Sequence, residues 1–109
     1  MRRIALIFML LANAGHAEDW QTLTTKEITT ALSGRTIDYD AAWQEFLPSG
    51  RTLYNSGRDS WGYWEARDNQ YCSQWPPADG WACYNVLQRG TQIRFVGESG
   101  DATDGTLRE

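Results

Sequence analysis

Cys72 and Cys83 are the only cysteines of the chain, and they flank the nearly symmetrical stretch YCSQWPPADGWACY. Ten residues separate them, whereas redox motifs usually space their thiols by two, and a zinc site needs more ligands than two thiolates. If PPADG forms a hairpin loop, Cys72 lies opposite Cys83, and Tyr71 lies opposite Tyr84, on adjacent antiparallel strands. The spacing therefore predicts a structural disulfide, with a labile redox bond as the alternative.

The N-terminal stretch MRRIALIFMLLANAGHA has two arginines, a short apolar run and small residues near its end. This pattern is typical of a secretory signal peptide, and the apolar run is shorter than the about 20 residues that span a bilayer. We therefore expect residues 1–17 to be a signal peptide and residues 18–109 to be a single domain. The domain would be periplasmic or secreted, without membrane insertion after cleavage, and export would favour the disulfide.

The only histidine, His16, lies within the expected signal peptide. Its removal excludes Ser-His and Cys-His catalysis, histidine metal sites and histidine pH switches. Cleavage would also remove two of the ten basic residues and none of the fourteen acidic ones, which leaves a net charge of −6. An acidic domain without a basic cluster has no electrostatic reason to bind nucleic acid or an anionic membrane. We expect no nucleic-acid partner, no metal and no other cofactor.

Carboxylates are the residue type that could still catalyse a reaction, because a pair of them can hydrolyse a glycoside. The candidates by type alone are Asp38, Asp40, Glu45, Asp59 and Glu65. Their spacing singles out no pair. The sequence therefore favours a protein that is not an enzyme, and a small carboxylate-based hydrolase is a further alternative.

Six tryptophans and five tyrosines are many for a domain of this size. Most of them fill a small β core, but the alternation within SWGYWEA directs Trp61 and Tyr63 to one face of a strand and Trp64 to the other. Gly62 between them predicts that a tryptophan packs over its bare backbone. Some aromatic side chains must therefore face outward, where they can stack on a sugar or contact a protein. We take Trp61, Tyr63, Trp64 and Trp75 as candidate contacts for an unknown protein or glycan ligand.

One short helix precedes all the β-like segments. Thr24 is a good N-cap, and Glu27 at the third helical position completes a capping box. Leu23 and Ile28 fit a hydrophobic staple, and Gly34 is placed for the C-cap. This pattern predicts a helix that lies on a sheet or plugs the end of a barrel.

After the helix, short β-like runs alternate with turn signals at hairpin spacing. The runs are RTIDYD, AWQEFL, RTLYN, SWGYWEA, QYCSQW, WACYNVLQ and TQIRFVG, with a last short one at GTLR. We predict an all-β domain with one short N-terminal helix. Its seven or eight strands would form an antiparallel meander that closes into a small barrel or folds into a sandwich.

The order of these segments resembles a family of small, uncharacterised periplasmic proteins of proteobacteria. The matching features are the signal peptide, LTTKEITTALSGRT, LPSGRTLY, GYWEARDNQYCSQW, WACYNVL and the final GTL. Together they cover most of the chain after the signal peptide. The resemblance implies a small lipocalin-like β domain, and it brings no established activity and no catalytic residue.

The size, the signal, the single disulfide and the predicted barrel are also similar to the periplasmic C-type lysozyme inhibitors. Those proteins insert a serine-glycine-x-x-tyrosine loop into the enzyme cleft. Here SGRTLY supplies Ser49, Gly50, Arg51 and Tyr54, with the tyrosine one residue later than in that motif. This second resemblance implies an inhibitor of a cell-wall hydrolase that acts through the hairpin tip 49–54. It is the alternative to the non-enzymatic binding or interaction domain that we favour.

Overall fold

A computed structural model of the chain describes residues 19–109, so the expected signal peptide lies outside the described residues. Within residues 19–109 the chain forms nine strands and one helix. Their bounds are β1 Gln21–Thr22, α1 Thr25–Leu32, β2 Arg35–Asp38, β3 Trp43–Phe46, β4 Arg51–Asn55, β5 Asp59–Arg67, β6 Gln70–Gln74, β7 Trp81–Arg89, β8 Gln92–Val96 and β9 Ala102–Leu107. In this part of the chain, no helix has the length and apolar character needed to cross a membrane.

Strands β2 to β9 form a closed antiparallel barrel. Each strand pairs with the next along the chain, and β9 pairs with β2, where Ile37 lies opposite Leu107 and Asp38 lies opposite Thr106. Strand β1 is additional. It pairs with residues 87–88 of β7, whereas β6 pairs with residues 81–84 of the same strand. The predicted all-β meander is thus confirmed, and of its two possible closures the chain adopts the barrel.

Helix α1 begins where the sequence predicts, and its C-cap is one residue before the predicted Gly34. The Oγ1 of Thr24 accepts a hydrogen bond from the backbone N–H of Glu27 at 3.3 Å, and the Glu27 carboxylate accepts one from the Thr24 N–H at 2.9 Å. Ser33 is the C-cap, and the next residue, Gly34, has a φ of +78° that favours glycine. The predicted capping box is confirmed.

Helix α1 seals one end of the barrel, which we call the helix end. It packs against β2, β5 and β6, with Ile28 and Leu32 fully buried. Its first turn is held by Asn69 in the β5–β6 turn, whose Oδ1 accepts from the Thr25 N–H at 2.9 Å and whose N–H donates to the Thr25 Oγ1 at 2.7 Å. Below the helix, Phe46 and Trp64 continue the core as an edge-to-face pair. This end of the barrel is therefore filled by packed side chains.

The disulfide joins β6 to β7 in the predicted register. Cys72 lies opposite Cys83 with the Cα atoms 4.0 Å apart, and Tyr71 lies opposite Tyr84. Cys72 is fully buried. The predicted disulfide is confirmed, and it fixes the hairpin that leads to the other end of the barrel.

The end opposite α1 is bounded by four loops, and we call it the open end. The loops are 39–42, 56–58, 75–80 and 97–101. They come together because strand direction alternates around the barrel, so that every second connection lies at the same end. Since α1 covers the other end, the open end is where the barrel interior meets solvent in the part of the chain that the structure describes.

Candidate ligand-binding cavity

A cavity of about 820 Å³ occupies the open end of the barrel. Six aromatic side chains line it: Tyr39, Tyr54, Tyr71, Trp75, Tyr84 and Phe95. The volume falls within the range of about 300–1,000 Å³ usual for small-molecule pockets, which are mostly apolar with a few polar groups. The open end therefore has the size and lining of a site for a small organic molecule.

Five of these rings belong to the loops of the open end or to the strand segments that lead to it, and we call them the mouth aromatics: Tyr39, Tyr54, Trp75, Tyr84 and Phe95. The ring centroids are 6.2 Å apart for Trp75 and Tyr54, 6.3 Å for Tyr54 and Tyr39, and 6.5 Å for Tyr39 and Phe95. Phe95 and Tyr84 are also 6.5 Å apart. All four pairs are tilted or edge-to-face, so the rings form a wall of inclined faces and edges and not a closed stack.

Trp75 is positioned by its contact with the backbone of Gly62. A Cβ atom at Gly62 would come within 2.6 Å of the Trp75 ring, so only glycine allows this approach. The indole Nε1–H of Trp75 donates to the Oγ of Ser73 at 3.1 Å. The expectation that a tryptophan packs over Gly62 is thus confirmed, and that tryptophan is one of the mouth aromatics.

The floor of the cavity is a hydrogen-bonded network around the buried amide of Gln44 on β3. Its Nε2 donates to the Oγ1 of Thr52 at 2.9 Å and to the hydroxyl of Tyr71 at 3.1 Å. Its Oε1 accepts from the Tyr39 hydroxyl at 2.8 Å. The Gln44 amide thus joins β3 to β4, to β6 and to the end of β2. Both of its N–H groups and its oxygen have hydrogen-bond partners.

The direction of these hydrogen bonds is fixed by a backbone carbonyl. The Thr52 hydroxyl donates to the carbonyl oxygen of Glu45 at 2.8 Å, so it must accept the bond from Gln44. The Gln44 NH₂ group therefore faces Thr52, and its oxygen faces Tyr39. The Tyr39 hydroxyl has a single proton, which it donates to Gln44. Its oxygen is therefore left with acceptor lone pairs alone for any further hydrogen bond.

Burial keeps the floor hydroxyls protonated. It raises the pKa of Tyr71 to about 12, although the contacts with Ser73 and Gln44 act in the opposite direction. Burial also raises the pKa of Tyr39 far above the usual range of a tyrosine, and the neighbouring tyrosines add to the effect. The floor is therefore neutral at physiological pH.

The charges near the cavity are mostly negative. Asp40 and Asp104 belong to the lining, and Asp104 makes a two-bond ion pair with Arg94 at 2.7 and 2.9 Å that lowers its pKa. The loops of the open end contain the acidic residues Asp40, Asp79, Glu98 and Asp101 against one basic residue, Arg58. Within residues 19–109, no lysine or arginine lines the cavity.

The tryptophans on the outside of the barrel each lie under an arginine of the chain. The distances from guanidinium carbon to ring centroid are 4.2 and 4.4 Å at Trp20 for Arg94 and Arg89, 5.8 Å at Trp43 for Arg108, 4.9 Å at Trp61 for Arg51, and 5.2 Å at Trp81 for Arg67. The two other tryptophans differ, since Trp64 is buried in the core and Trp75 lines the cavity. Among residues 19–109, no guanidinium group lies over Trp75.

The four aromatic residues that the sequence singled out lie in three different places. Trp61 and Tyr63 are 46% and 42% exposed on the outer face of β5, as the alternation predicted, and both rings contact Arg51. Trp64 is only 6% exposed, and its Nε1–H donates to the carbonyl of Leu47 at 2.9 Å. The expectation of an exposed Trp64 is therefore wrong, because its alternation places it inside the barrel. Trp75 lines the cavity, so the four do not form one surface.

The residues of the hairpin tip 49–54 are divided between the two ends of the barrel. Ser49, Gly50 and Arg51 lie at the helix end, where the Leu47 N–H donates to the carbonyl of Arg51 at 2.9 Å and closes the turn. Tyr54 lies further along β4 and lines the cavity at the open end. The tip therefore does not present this tyrosine, because an extended strand carries it away from the turn.

The candidate carboxylates are not brought together as a catalytic pair. Asp38 is ion-paired with Arg108, and Glu65 is ion-paired with Arg67, on the outside of the barrel. Of the five candidates, only Asp40 lines the cavity. Within residues 19–109, no group of three or more histidine, cysteine, aspartate or glutamate side chains is arranged to hold a metal ion.

Sequence reasoning missed the residues that build the cavity wall and floor, above all Tyr39, Gln44 and Tyr84. The signal that could have found Tyr39 and Gln44 is the two-residue period of their strands. Tyr39 shares a face with the buried Ile37, and Gln44 shares one with the buried Phe46.

Comparison with known proteins gives no match: no protein-family model, no curated protein and no solved structure is similar to the chain. The resemblance to small periplasmic proteins therefore stays a prediction. The site is defined by its own geometry, as an aromatic cavity in a closed β barrel with one open end.

Proposed function

We propose that this protein is a non-enzymatic binding protein that holds a small organic molecule in the cavity at the open end of its barrel. One observation carries the proposal, namely a cavity of about 820 Å³ that is walled by aromatic side chains at the end of the barrel opposite α1. Burial of apolar ligand surface against such a wall is the main source of affinity in small-molecule sites.

The cavity floor supports a binding role because it is rigid. The amide of Gln44 is only 5% exposed, and it is hydrogen-bonded to Thr52, Tyr71 and Tyr39. A satisfied buried network of this kind holds its side chains in one arrangement. The site is therefore formed before the ligand arrives, which reduces the entropy lost on binding.

The lining also supports binding in preference to catalysis. Burial raises the pKa of Tyr71 and of Tyr39, so neither hydroxyl acts as a base near neutral pH. Of the two acids in the lining, Asp40 and Asp104, the second is ion-paired with Arg94 and so is not free to act as the partner of a glycosidase pair.

The outer aromatic residues support a contact surface less well than the cavity does. Arg51 lies over the rings of Trp61 and Tyr63, and Arg67 lies over the ring of Trp81. A sugar that stacked on these rings would first have to displace a guanidinium group. We therefore assign ligand binding to the cavity and not to the outer face of β5.

We also propose that the protein works in the periplasm or outside the cell. Support comes from the signal-like residues 1–17 and from the Cys72–Cys83 disulfide, which forms and persists in oxidising compartments.

Titration of the oxidised protein with phenylnaphthylamine, a neutral aromatic dye that fluoresces in apolar surroundings, tests the proposed cavity. We expect saturable fluorescence at one site per chain. The variant Trp75→Leu should weaken binding by about tenfold or more, since it removes one aromatic wall. The matched variant Trp61→Leu, which removes an outer tryptophan, should bind as the wild type does. Absence of saturable binding, or an equal loss in both variants while each remains folded, would overturn the proposal.

A further inference from the structure

We infer that the ligand is a small organic cation, with a quaternary ammonium or protonated amine group held among the mouth aromatics. This inference rests on the proposed function and adds the chemical class of the ligand. Four observations carry it: the aromatic wall, the acceptor-only oxygen of Tyr39, the acidic open end and, within residues 19–109, the absence of a guanidinium group over Trp75.

The aromatic wall favours a cation because each ring carries negative charge density on its face. A cation within about 6 Å of a ring centroid is attracted to it, and several rings around one cation form the aromatic cage that recognises quaternary ammonium groups. The mouth aromatics follow one another along the cavity wall, with adjacent centroids 6.2 to 6.5 Å apart. A cation inside this wall would contact several rings at once.

The floor network gives the same preference. The carbonyl of Glu45 fixes the direction of the Thr52 hydroxyl, which in turn fixes the amide of Gln44. The Tyr39 hydroxyl must therefore donate to Gln44, and its oxygen presents lone pairs alone. Such an oxygen attracts a cation, and it accepts a hydrogen bond when that cation is a protonated amine, whereas it repels a carboxylate or a phosphate.

The charges at the open end exclude an anion and attract a cation. Asp40 lines the cavity, and Asp79, Glu98 and Asp101 lie in the surrounding loops. A carboxylate or phosphate ligand would need a lysine or arginine in the site, and within residues 19–109 none lines the cavity. Like charges at the opening would also slow its entry.

The outer tryptophans provide an internal comparison. Trp20, Trp43, Trp61 and Trp81 each lie within 5.8 Å of an arginine guanidinium of the same chain. Trp75 is the tryptophan outside the core that has no such cation among residues 19–109, although it borders an open, acidic site. An external cation would give Trp75 the partner that the chain supplies to the others.

Three probes of nearly equal size test the charge preference: benzyltrimethylammonium, its neutral carbon isostere neopentylbenzene, and the anion benzylsulfonate. Each competes with phenylnaphthylamine for the oxidised protein at low ionic strength. We expect the ammonium probe to bind about tenfold more tightly than neopentylbenzene, a ratio within the range of a desolvated cation–π contact. Benzylsulfonate should not displace the dye.

A charge variant separates the local effect from the overall field of the protein. Asp40→Asn should weaken the ammonium probe by about threefold, the size expected for one partly screened charge, and leave neopentylbenzene unchanged. Glu109→Gln removes the same charge at the exposed C-terminal residue. It should leave the affinities of both probes as they are.

The outcomes distinguish the two proposals. If the dye binds but neopentylbenzene displaces it as well as the ammonium probe does, the inferred cation is wrong while the proposed cavity stands. A stronger effect of benzylsulfonate than of the ammonium probe would also overturn the inference. If neither the dye nor any probe binds to the folded protein, the proposed function fails, and the inference fails with it.

Discussion

The indole ring of Trp75 lies directly on the backbone of Gly62, where a Cβ atom would come within 2.6 Å of the ring atom Cε3. This contact joins the end of β6 to the middle of β5. It holds Trp75 against the cavity in place of the solvent-exposed position that a loop residue usually takes. The position of Trp75 at the cavity therefore depends on the absence of a side chain at residue 62.

Substitution of Gly62 by alanine should lower the free energy of unfolding by about 1–3 kcal/mol, because the added methyl group would clash with the Trp75 ring at 2.6 Å and with the backbone carbonyl oxygen of Gln74 at 2.7 Å. Denaturant unfolding measures the loss, and the affinity for phenylnaphthylamine should fall with it. Gly80→Ala is the matched control, since a Cβ at Gly80 would meet open space. Its effect should stay within about 0.5 kcal/mol. Equal effects of the two substitutions would contradict the assigned contact.

The buried amide of Gln44 should stabilise the folded state because three hydroxyl groups share it as a hydrogen-bond partner. Gln44→Leu leaves the Tyr39 and Tyr71 hydroxyls and the Thr52 hydroxyl without their shared partner, so we expect a loss of roughly 1–3 kcal/mol in the free energy of unfolding. Gln21→Leu changes an exposed glutamine of β1 and should have little effect. A Gln44→Leu protein as stable as the wild type would show that the network does not hold the floor.

Removal of the disulfide by the double substitution Cys72→Ala and Cys83→Ala should lower the free energy of unfolding by about 3 kcal/mol. The estimate follows from the entropy of closing a loop with a sequence separation of 11. Urea unfolding of the wild type with and without a reducing agent provides the comparison. If the bond is structural, the reduced wild type should unfold near the midpoint of the double variant. A reduced protein with unchanged stability would favour the labile redox bond instead.

The sequence was sufficient to predict most of the fold. The capping box at Thr24 and Glu27, the register of Cys72 with Cys83 and the close contact over Gly62 each involve residues of one helix or of two consecutive strands. Contacts of this kind form between neighbouring elements, so they do not depend on how the rest of the chain folds. Closure into a barrel is different, because it depends on the pairing of β2 with β9 near the end of the chain. The sequence therefore left barrel and sandwich as equal possibilities.

The site was predicted less completely because its residues converge from distant strands. The sequence points to Trp75, but it groups this residue with Trp61 and Tyr63, which lie on the outer face of the barrel. Tyr39, which follows β2, meets Phe95 of β8 only when β2 pairs with β9 and closes the barrel, whereas Tyr84 meets Phe95 across the β7–β8 hairpin. Alternation within one strand predicts whether a side chain points into or out of the barrel. It does not predict which side chains of other strands lie beside it.

Stability should fall in alkaline solution because the buried tyrosines resist ionisation. Burial raises the pKa of Tyr71 to about 12, whereas the pKa of a tyrosine in the unfolded chain is about 10. Between these values the unfolded state loses a proton that the folded state keeps, so the free energy of unfolding decreases as pH rises. The stabilisation is complete below about pH 10 and is lost as pH rises through about 12.

Denaturant unfolding at a series of alkaline pH values measures this slope. Tyr71→Phe removes one of the titrating groups, so its stability should decrease less steeply over the same range. Equal slopes for the wild type and the variant would show that Tyr71 does not contribute to the alkaline loss.

The most direct test of the account follows the six indole N–H signals of the isotope-labelled, oxidised protein by nuclear magnetic resonance while benzyltrimethylammonium is added. The Trp75 indole N–H donates to Ser73 beside the cavity, whereas Trp20, Trp43, Trp61 and Trp81 lie outside the barrel under arginines. We predict that the Trp75 signal shifts and saturates while the four outer signals stay in place. A shift of the outer signals with an unmoved Trp75 would contradict ligand binding in the cavity.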